Sequence, residues 1–191
     1  MAESVCKTLR DNKELIGFFD LLGGGIFNRG IYRTLDYGEI DIFYERLCVS
    51  YPNYRERVCP FAFDWLNRMY CVDSERRAAD HPLLLLFSLM SDEVLKIPFT
   101  LEDFHEKYLV ESSCELFELG VFESFLAVNN LQMLPRDKCA SLRVPLFLGE
   151  KFETENLEVK DVEFDWHVNS ELLRETRALP EGTVIDRVQL T

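Results

Sequence analysis

The sequence predicts an α+β fold in which helices pack on a central, mainly antiparallel sheet within a single domain. Short β-prone runs separated by turn residues follow one another between residues 58 and 98. Runs with apolar residues at helical spacing lie on both sides of that region. The chain has 191 residues, of which 47% are hydrophobic, which is typical of one globular domain. We expect residues 1–177 to form this domain and residues 178–191 to be a C-terminal tail.

The N-terminal part is predicted to begin with a helix over residues 3–22, in which charged residues separate apolar ones at helical spacing. The glycine run 23–25 ends this helix because glycine favours helix termini and turns. Residues 26–33 are then predicted to be extended, with a bend in the middle.

A second helix is predicted over residues 38–50. Ile42, Leu47 and Val49 recur there at helical rather than strand spacing, among acidic residues. Pro52 follows and closes the helix, because proline cannot continue it.

The strands of the sheet are predicted next. Residues 61–63 and 69–72 are short β-prone runs, and the polar residues 73–82 predict a loop after them. Residues 83–87 form a continuous apolar run, which predicts a strand buried on both faces at the centre of the sheet. Residues 94–98 are predicted to pair back as the next antiparallel strand.

Two capping signals predict helices after the sheet. Thr100 precedes Asp103 by three residues, and Ser112 precedes Glu115 in the same way. A hydroxyl at the N-cap followed by an acid three residues later is a pattern that starts helices. The second helix is expected over residues 112–129, with a broad apolar stripe that packs on the sheet.

Acidic residues dominate the segment that follows. Residues 144–148 and 162–166 are candidate strands, and residues 149–165 carry seven acids against two lysines. On a strand, alternate residues share a face, so Glu163 and Asp165 would point to one side. The segment is either a solvated face or a patch complementary to a basic protein, and we favour the patch. Its seven acids form the predicted partner-binding set: Glu150, Glu153, Glu155, Glu158, Asp161, Glu163 and Asp165.

The net charge of −13 limits the classes of partner. Residues 101–191 hold 9 basic and 19 acidic side chains, which is 10 of the 13 excess negative charges. Nucleic acid is an unfavourable partner, because binding to phosphates requires a surplus of cationic side chains. A cationic protein would be attracted instead, although solubility alone also accounts for surface acid.

No arrangement of residues predicts a catalytic, metal or cofactor site. His105 has acidic neighbours that could orient an imidazole, but a half-exposed helix histidine is the simpler interpretation. The glycine run 23–25 lacks the Lys-Ser/Thr of a phosphate-binding loop, and the spacing of the acids does not fit an EF-hand. The six cysteines are far apart and are predicted to be reduced core residues. We therefore expect no enzyme activity, metal or cofactor.

The sequence also predicts a location. The first residues are polar and acidic where a signal peptide would be basic and then apolar. The longest apolar stretch, residues 83–87, is five residues long, against roughly 20 for a membrane span. A cytoplasmic protein that does not enter a membrane is expected.

Four phrases in order resemble one known family. The phrases are GGIFNRGIYR (24–33), FAFDWLNR (61–68), LKIP (95–98) with FH (104–105), and VPLFLG (144–149) followed by NLE (156–158). Together they resemble bacterial proteins of the type VI secretion immunity family, which carry a GAD-like region followed by a C-terminal immunity domain. The resemblance covers about residues 20–167, and the family more often has glycine at the position of Asn67.

This resemblance implies a non-enzymatic antidote that is encoded beside a toxic effector and binds it in the producing cell. Many such effectors are nucleases, which are commonly cationic because they approach a polyanion. The predicted function is therefore that of an immunity protein, which neutralises a toxin by stoichiometric binding. A nuclease is the expected kind of toxin. The alternative is an intracellular scaffold or regulatory binding module without a toxin partner.

Overall fold

A six-stranded antiparallel sheet organises the computed structural model, which describes residues 12–149, 151–180 and 183. The strands lie side by side in chain order, and each pairs with the next. They are β1 (Ile26–Phe27), β2 (Tyr32–Thr34), β3 (Val58–Asp64), β4 (Met69–Ala78), β5 (His81–Ser88) and β6 (Glu93–Ile97). Helices pack on this sheet within one domain, so the predicted α+β class is confirmed.

Two predictions about the sheet are wrong. Residues 73–82 are not a loop, because β4 continues to Ala78 and β5 begins at His81. The polar residue Asp73 is fully buried in β4, where the Arg57 guanidinium donates to it at 2.8 Å. Residues 84–87 of the apolar run are buried, but the run lies in β5, next to the edge strand β6, while β3 and β4 form the centre. A continuous apolar run indicates that both faces of a strand are buried. It does not indicate where that strand lies in the sheet.

The two predicted N-terminal helices are present. They are α1 (Lys13–Leu22) and α2 (Ile40–Ser50). The Asn12 side chain caps α1 by accepting from two backbone amides, and the glycine run 23–25 follows its end. Residues 3–11 of the first predicted helix lie outside the described residues. Of the three residues that predicted α2, Leu47 is buried, whereas Ile42 and Val49 are exposed.

A helical segment interrupted by a π-helical turn follows β6. Thr100 caps it, as predicted, by accepting from the Asp103 amide. Ser112 does not start a helix, because the chain before it is already helical and satisfies its backbone. The predicted helix 112–129 is instead two helices that break at Glu118, which has a φ of 51°. The elements are α3 (Leu101–Asp103), the π-turn (Phe104–Tyr108), α4 (Leu109–Leu116) and α5 (Leu119–Val128).

The C-terminal part differs most from the prediction. A two-stranded antiparallel sheet joins β7 (Lys138–Leu142) to β8 (Leu157–Asp161), and α6 (Val162–Thr176) follows directly. The candidate strand at 144–148 is a loop with one 3-10 turn, Leu146–Leu148. The candidate strand at 162–166 is the start of α6. Its polar-apolar alternation suits a strand only locally, whereas the buried positions 162, 165, 166, 169, 170 and 173 follow helical spacing.

Most of the cysteines behave as predicted. Cys48, Cys59, Cys71 and Cys139 are buried, but Cys114 is exposed, and Cys6 lies outside the described residues. Of the predicted tail, only residues 178–180 and 183 are described. Within the described ranges, no helix combines the length and the apolar character that crossing a membrane requires.

Candidate functional site

Helices α2 and α6 pack side by side and form the walls of a groove. The Trp166 indole donates to the Arg46 carbonyl at 3.1 Å, and the Ser50 and Ser170 hydroxyls are 2.6 Å apart. Arg177, just after α6, donates to the Ser50 carbonyl at 2.6 Å. Residues 46 and 50 thus meet residues 166 and 170 in the same order, so the two helices run in the same direction. These bonds join the helices firmly, and the groove exists before any partner binds.

The groove has an apolar floor and a volume of about 840 Å³. Phe43, Phe63 and Trp166 line it and are each less than 10% exposed, so they form its floor. Val49 and Phe164 line its sides and are 65% and 56% exposed. Large apolar side chains with that much exposure, grouped around a concavity, mark a binding surface.

Carboxylates surround the apolar floor. Five acidic residues line the groove against two arginines, which leaves a net charge of −3. Both arginines already form ion pairs inside the protein, Arg46 with Glu163 at 2.7 Å and Arg136 with Glu39. The other three acids pair with cations outside the lining: the Lys138 ammonium lies 2.6 Å from the Asp161 carboxylate and 3.7 Å from that of Asp137, and the Arg174 guanidinium lies 2.5 Å from that of Glu171. Five acids against these four cations leave a small negative excess, and the carboxylates of Asp137, Asp161 and Glu163 remain largely exposed to a partner. The five acids are Glu39, Asp137, Asp161, Glu163 and Glu171.

A buried arginine fixes one end of the groove. The Arg33 guanidinium is fully buried and donates to the carbonyls of Pro135, Arg136 and Lys138, and to that of Asp64 at 2.6 Å. Burial lowers the pKa of Arg33 to about 10, so the side chain is still charged at neutral pH. The segment that carries Arg136 is thereby held on the sheet.

The structure separates the seven predicted contact residues. Asp161 and Glu163 line the groove. Glu153 and Glu155 are exposed in the loop before β8, and Glu158 lies on β8, where its carboxylate is 3.2 Å from the Lys160 ammonium. Glu150 lies outside the described residues.

Asp165 is not a surface residue, which corrects the prediction. It is 4% exposed and accepts hydrogen bonds from the Asn67 and Asn169 side-chain amides, both at 2.8 Å. The Ser141 hydroxyl also bonds to it. Burial raises the pKa of Asp165, and these hydrogen bonds oppose the rise. Because residues 162–166 are helical, Asp165 faces inward while Glu163 faces solvent.

Sequence reasoning missed the apolar part of the groove. Phe43 and Val49 lie on a predicted helix, but the sequence predicts a strand at Phe164 and Trp166, which line the same groove. The signal that could have found them is the spacing of Val162, Trp166 and Leu173, which is helical and leaves Phe164 outside the buried stripe.

His105 lines a second, smaller pocket of about 340 Å³ between β2 and the π-turn. Its Nδ1 lies 2.8 Å from the Leu101 carbonyl, which can only accept, so Nδ1 carries the proton. Nε2 therefore accepts from the Tyr32 hydroxyl at 2.9 Å. Burial lowers the pKa of His105, which keeps the ring neutral. Both ring nitrogens are thus engaged inside the protein.

A metal site is not found among residues 12–149, 151–180 and 183, where no three His, Cys, Asp or Glu side chains are grouped to hold an ion.

Comparison with known proteins identifies a fold but no family. No family model matches the sequence, and no curated protein matches it. Among solved structures, the chain is similar to the crystal structure of Atu4351 from Agrobacterium tumefaciens, with a TM-score of 0.64 and 14% sequence identity. The match covers 89% of this chain and 80% of that one. At this identity the likeness shows a shared fold alone.

Proposed function

We propose that this protein is an immunity protein, which binds a cognate secreted bacterial toxin in the cytoplasm and neutralises it by stoichiometric binding. The observation that carries the proposal is the groove between α2 and α6, where an apolar floor is surrounded by acids that include Asp161 and Glu163. The immunity class itself comes from the resemblance of the four sequence phrases. The groove supplies a surface with which such a protein could act.

The charge of the groove favours a cationic toxin, of which a nuclease domain is the expected kind. Nucleases carry basic surfaces because their substrate is a polyanion. An acidic surface accelerates the encounter with such a domain and competes with its substrate. The apolar floor would supply the desolvated centre that gives a protein interface most of its affinity.

The neighbouring reading frame in the native operon provides the test. Expressed alone it should stop growth, and expressed with this protein it should be tolerated, with both chains co-purifying in equal amounts. A harmless neighbour, or a toxic one that forms no complex, would contradict the proposal. Turnover of a small compound by the purified protein, lost on one substitution, would contradict it as well.

A further inference from the structure

The shape of the groove restricts what can fill it. Helix α2 and its N-cap contribute Glu39, Phe43, Arg46 and Val49 to the lining. Their spacing of four, three and three residues is that of one helix face. At 1.5 Å per residue this face is about 15 Å long. The opposite wall is α6, so the site is a trough between two parallel helices.

A third helix fits such a trough better than an extended strand does. Strand addition requires an open sheet edge whose backbone groups accept and donate hydrogen bonds. Helices satisfy their own backbone and present side chains only, as α2 and α6 do here. An amphipathic helix packs against such walls with apolar residues at positions i, i+3, i+4 and i+7.

The charges of the groove lining predict which side chains flank the apolar stripe of the bound helix. Asp161 and Glu163 line the same groove as the exposed apolar residues Val49 and Phe164. A helix with an apolar stripe flanked by lysine or arginine would lay that stripe on the floor of the groove and bring its cations close to these carboxylates. An acidic helix would instead bring its carboxylates against the exposed carboxylates of Asp137, Asp161 and Glu163.

We infer that the groove binds one basic amphipathic helix of the partner protein, about three turns of it, with its apolar face on Phe43 and Trp166. The identity of the partner as a toxin rests on the proposed function, whereas the helical occupant rests on the shape and charge of the groove.

The probe for this inference is a synthetic peptide of about 18 residues, long enough to form a helix. It carries leucine at i, i+3, i+4 and i+7 and lysine on the remaining surface, with a fluorescent label for anisotropy. A scrambled peptide of equal charge and a peptide with glutamate for lysine are its controls. The wild-type protein should bind the first peptide saturably at one site and bind both controls at least about tenfold more weakly.

Protein variants locate the site. Val49→Asp and Phe164→Asp should each weaken binding of the first peptide by at least about tenfold. Ile42→Asp is the matched control, because Ile42 is 52% exposed on the same helix but does not line the groove. Glu163→Lys should weaken binding, and Glu155→Lys should change it by less than about twofold. Unchanged circular dichroism and melting temperature confirm that each variant is folded.

The inference is overturned if the wild type shows no binding up to about 1 mM peptide. Equal binding of the scrambled peptide, or unchanged binding by Val49→Asp and Phe164→Asp, overturns it too. Its failure is distinct from failure of the proposed function. A Phe164→Asp protein that still protects cells from the neighbouring gene product refutes the groove as the toxin site and leaves immunity intact. If the protein binds the peptide but the neighbouring gene product is not toxic, the immunity function is refuted and the groove remains a helix-binding site.

Discussion

The Asn67 side-chain amide donates to the Asp165 carboxylate at 2.8 Å and to the Val162 carbonyl at 3.0 Å, so one residue joins the turn after β3 to the first turn of α6. Asn67 has a φ of 59°, in the left-handed region that asparagine and glycine tolerate best. Glycine would tolerate this φ as well, but it has no side chain to donate these two hydrogen bonds. Asp165 therefore orients the wall of the groove from inside and does not meet a partner.

Replacing Asp165 should cost stability. In Asp165→Ala the buried Asn169 amide loses its acceptor and the Asn67 amide keeps only the Val162 carbonyl, so we expect the free energy of unfolding to fall by roughly 2 kcal/mol. Urea denaturation measures this change. Glu163→Ala, which replaces an exposed residue two positions earlier on the same helix, should stay within about 0.5 kcal/mol of wild type. Equal losses in the two variants would show that Asp165 is not an internal anchor.

Replacing Arg33 should be more damaging. Arg33→Met removes the guanidinium that donates hydrogen bonds to the carbonyls of the 135–138 segment and of Asp64, in the interior of the protein. We expect a loss of roughly 3 kcal/mol or more in the free energy of unfolding. Arg29→Met is the control, because Arg29 is exposed and its guanidinium donates to one carbonyl in the same region, that of Gln132 at 2.8 Å. A small and equal effect of both substitutions would refute the anchoring role of Arg33.

His105 should make the protein less stable in mild acid. Burial lowers its pKa below the ordinary value of 6.5, so the unfolded chain binds a proton at a higher pH than the folded protein does. The stabilisation is present in full above the unfolded pKa. It is lost as pH falls from 6.5 towards the lowered folded pKa.

His105→Phe should reduce this part of the pH dependence, whatever its effect on stability at neutral pH. The measurement is the free energy of unfolding at several pH values between about 5 and 7.5. His167→Phe replaces an exposed histidine and serves as the control. If both variants keep the wild-type dependence on pH, the buried ring is not responsible for it.

Charge reversal should distinguish the effect of the acids at the groove on the association rate from the effect of those in the loop. Asp161 and Glu163 line the groove, so replacing both by lysine should slow association with a cationic partner by about tenfold at low salt. Replacing Glu153 and Glu155 by lysine serves as the matched control and should slow it less. Stopped-flow association with the operon-encoded partner, at low and high salt, measures both. Equal effects from the two pairs would mean that only the total charge matters.

Much of the sheet follows from local sequence. The apolar runs of β3, β4 and β5 and the helices flanking the sheet each carry a pattern that a short window contains. The errors occur where a short window fits two structures. The alternation at residues 162–166 suits a strand, and only the continuation to residue 176 shows a helix. Ser112 carries a capping pattern that the preceding helical turns make unnecessary.

The candidate site could be predicted only in part for a similar reason. The sequence identifies an acidic surface but cannot tell that Asp165 is buried while Glu163 is exposed, because that depends on the direction of α6. The apolar floor joins Phe43 and Phe63 to Trp166, which lies about a hundred residues further along the chain. No local pattern relates such distant residues.

The sequence by itself determined the α+β class, the excess of negative charge and its concentration in the second half of the chain. These properties depend on composition and on spacing between near neighbours, which a sequence displays directly. The tertiary structure alone decided that α2 and α6 lie parallel, which acids face solvent, and that Glu39, Asp161 and Glu163 form ion pairs with Arg136, Lys138 and Arg46. Those facts arise from packing between distant segments, where burial selects one of several arrangements that the local patterns allow.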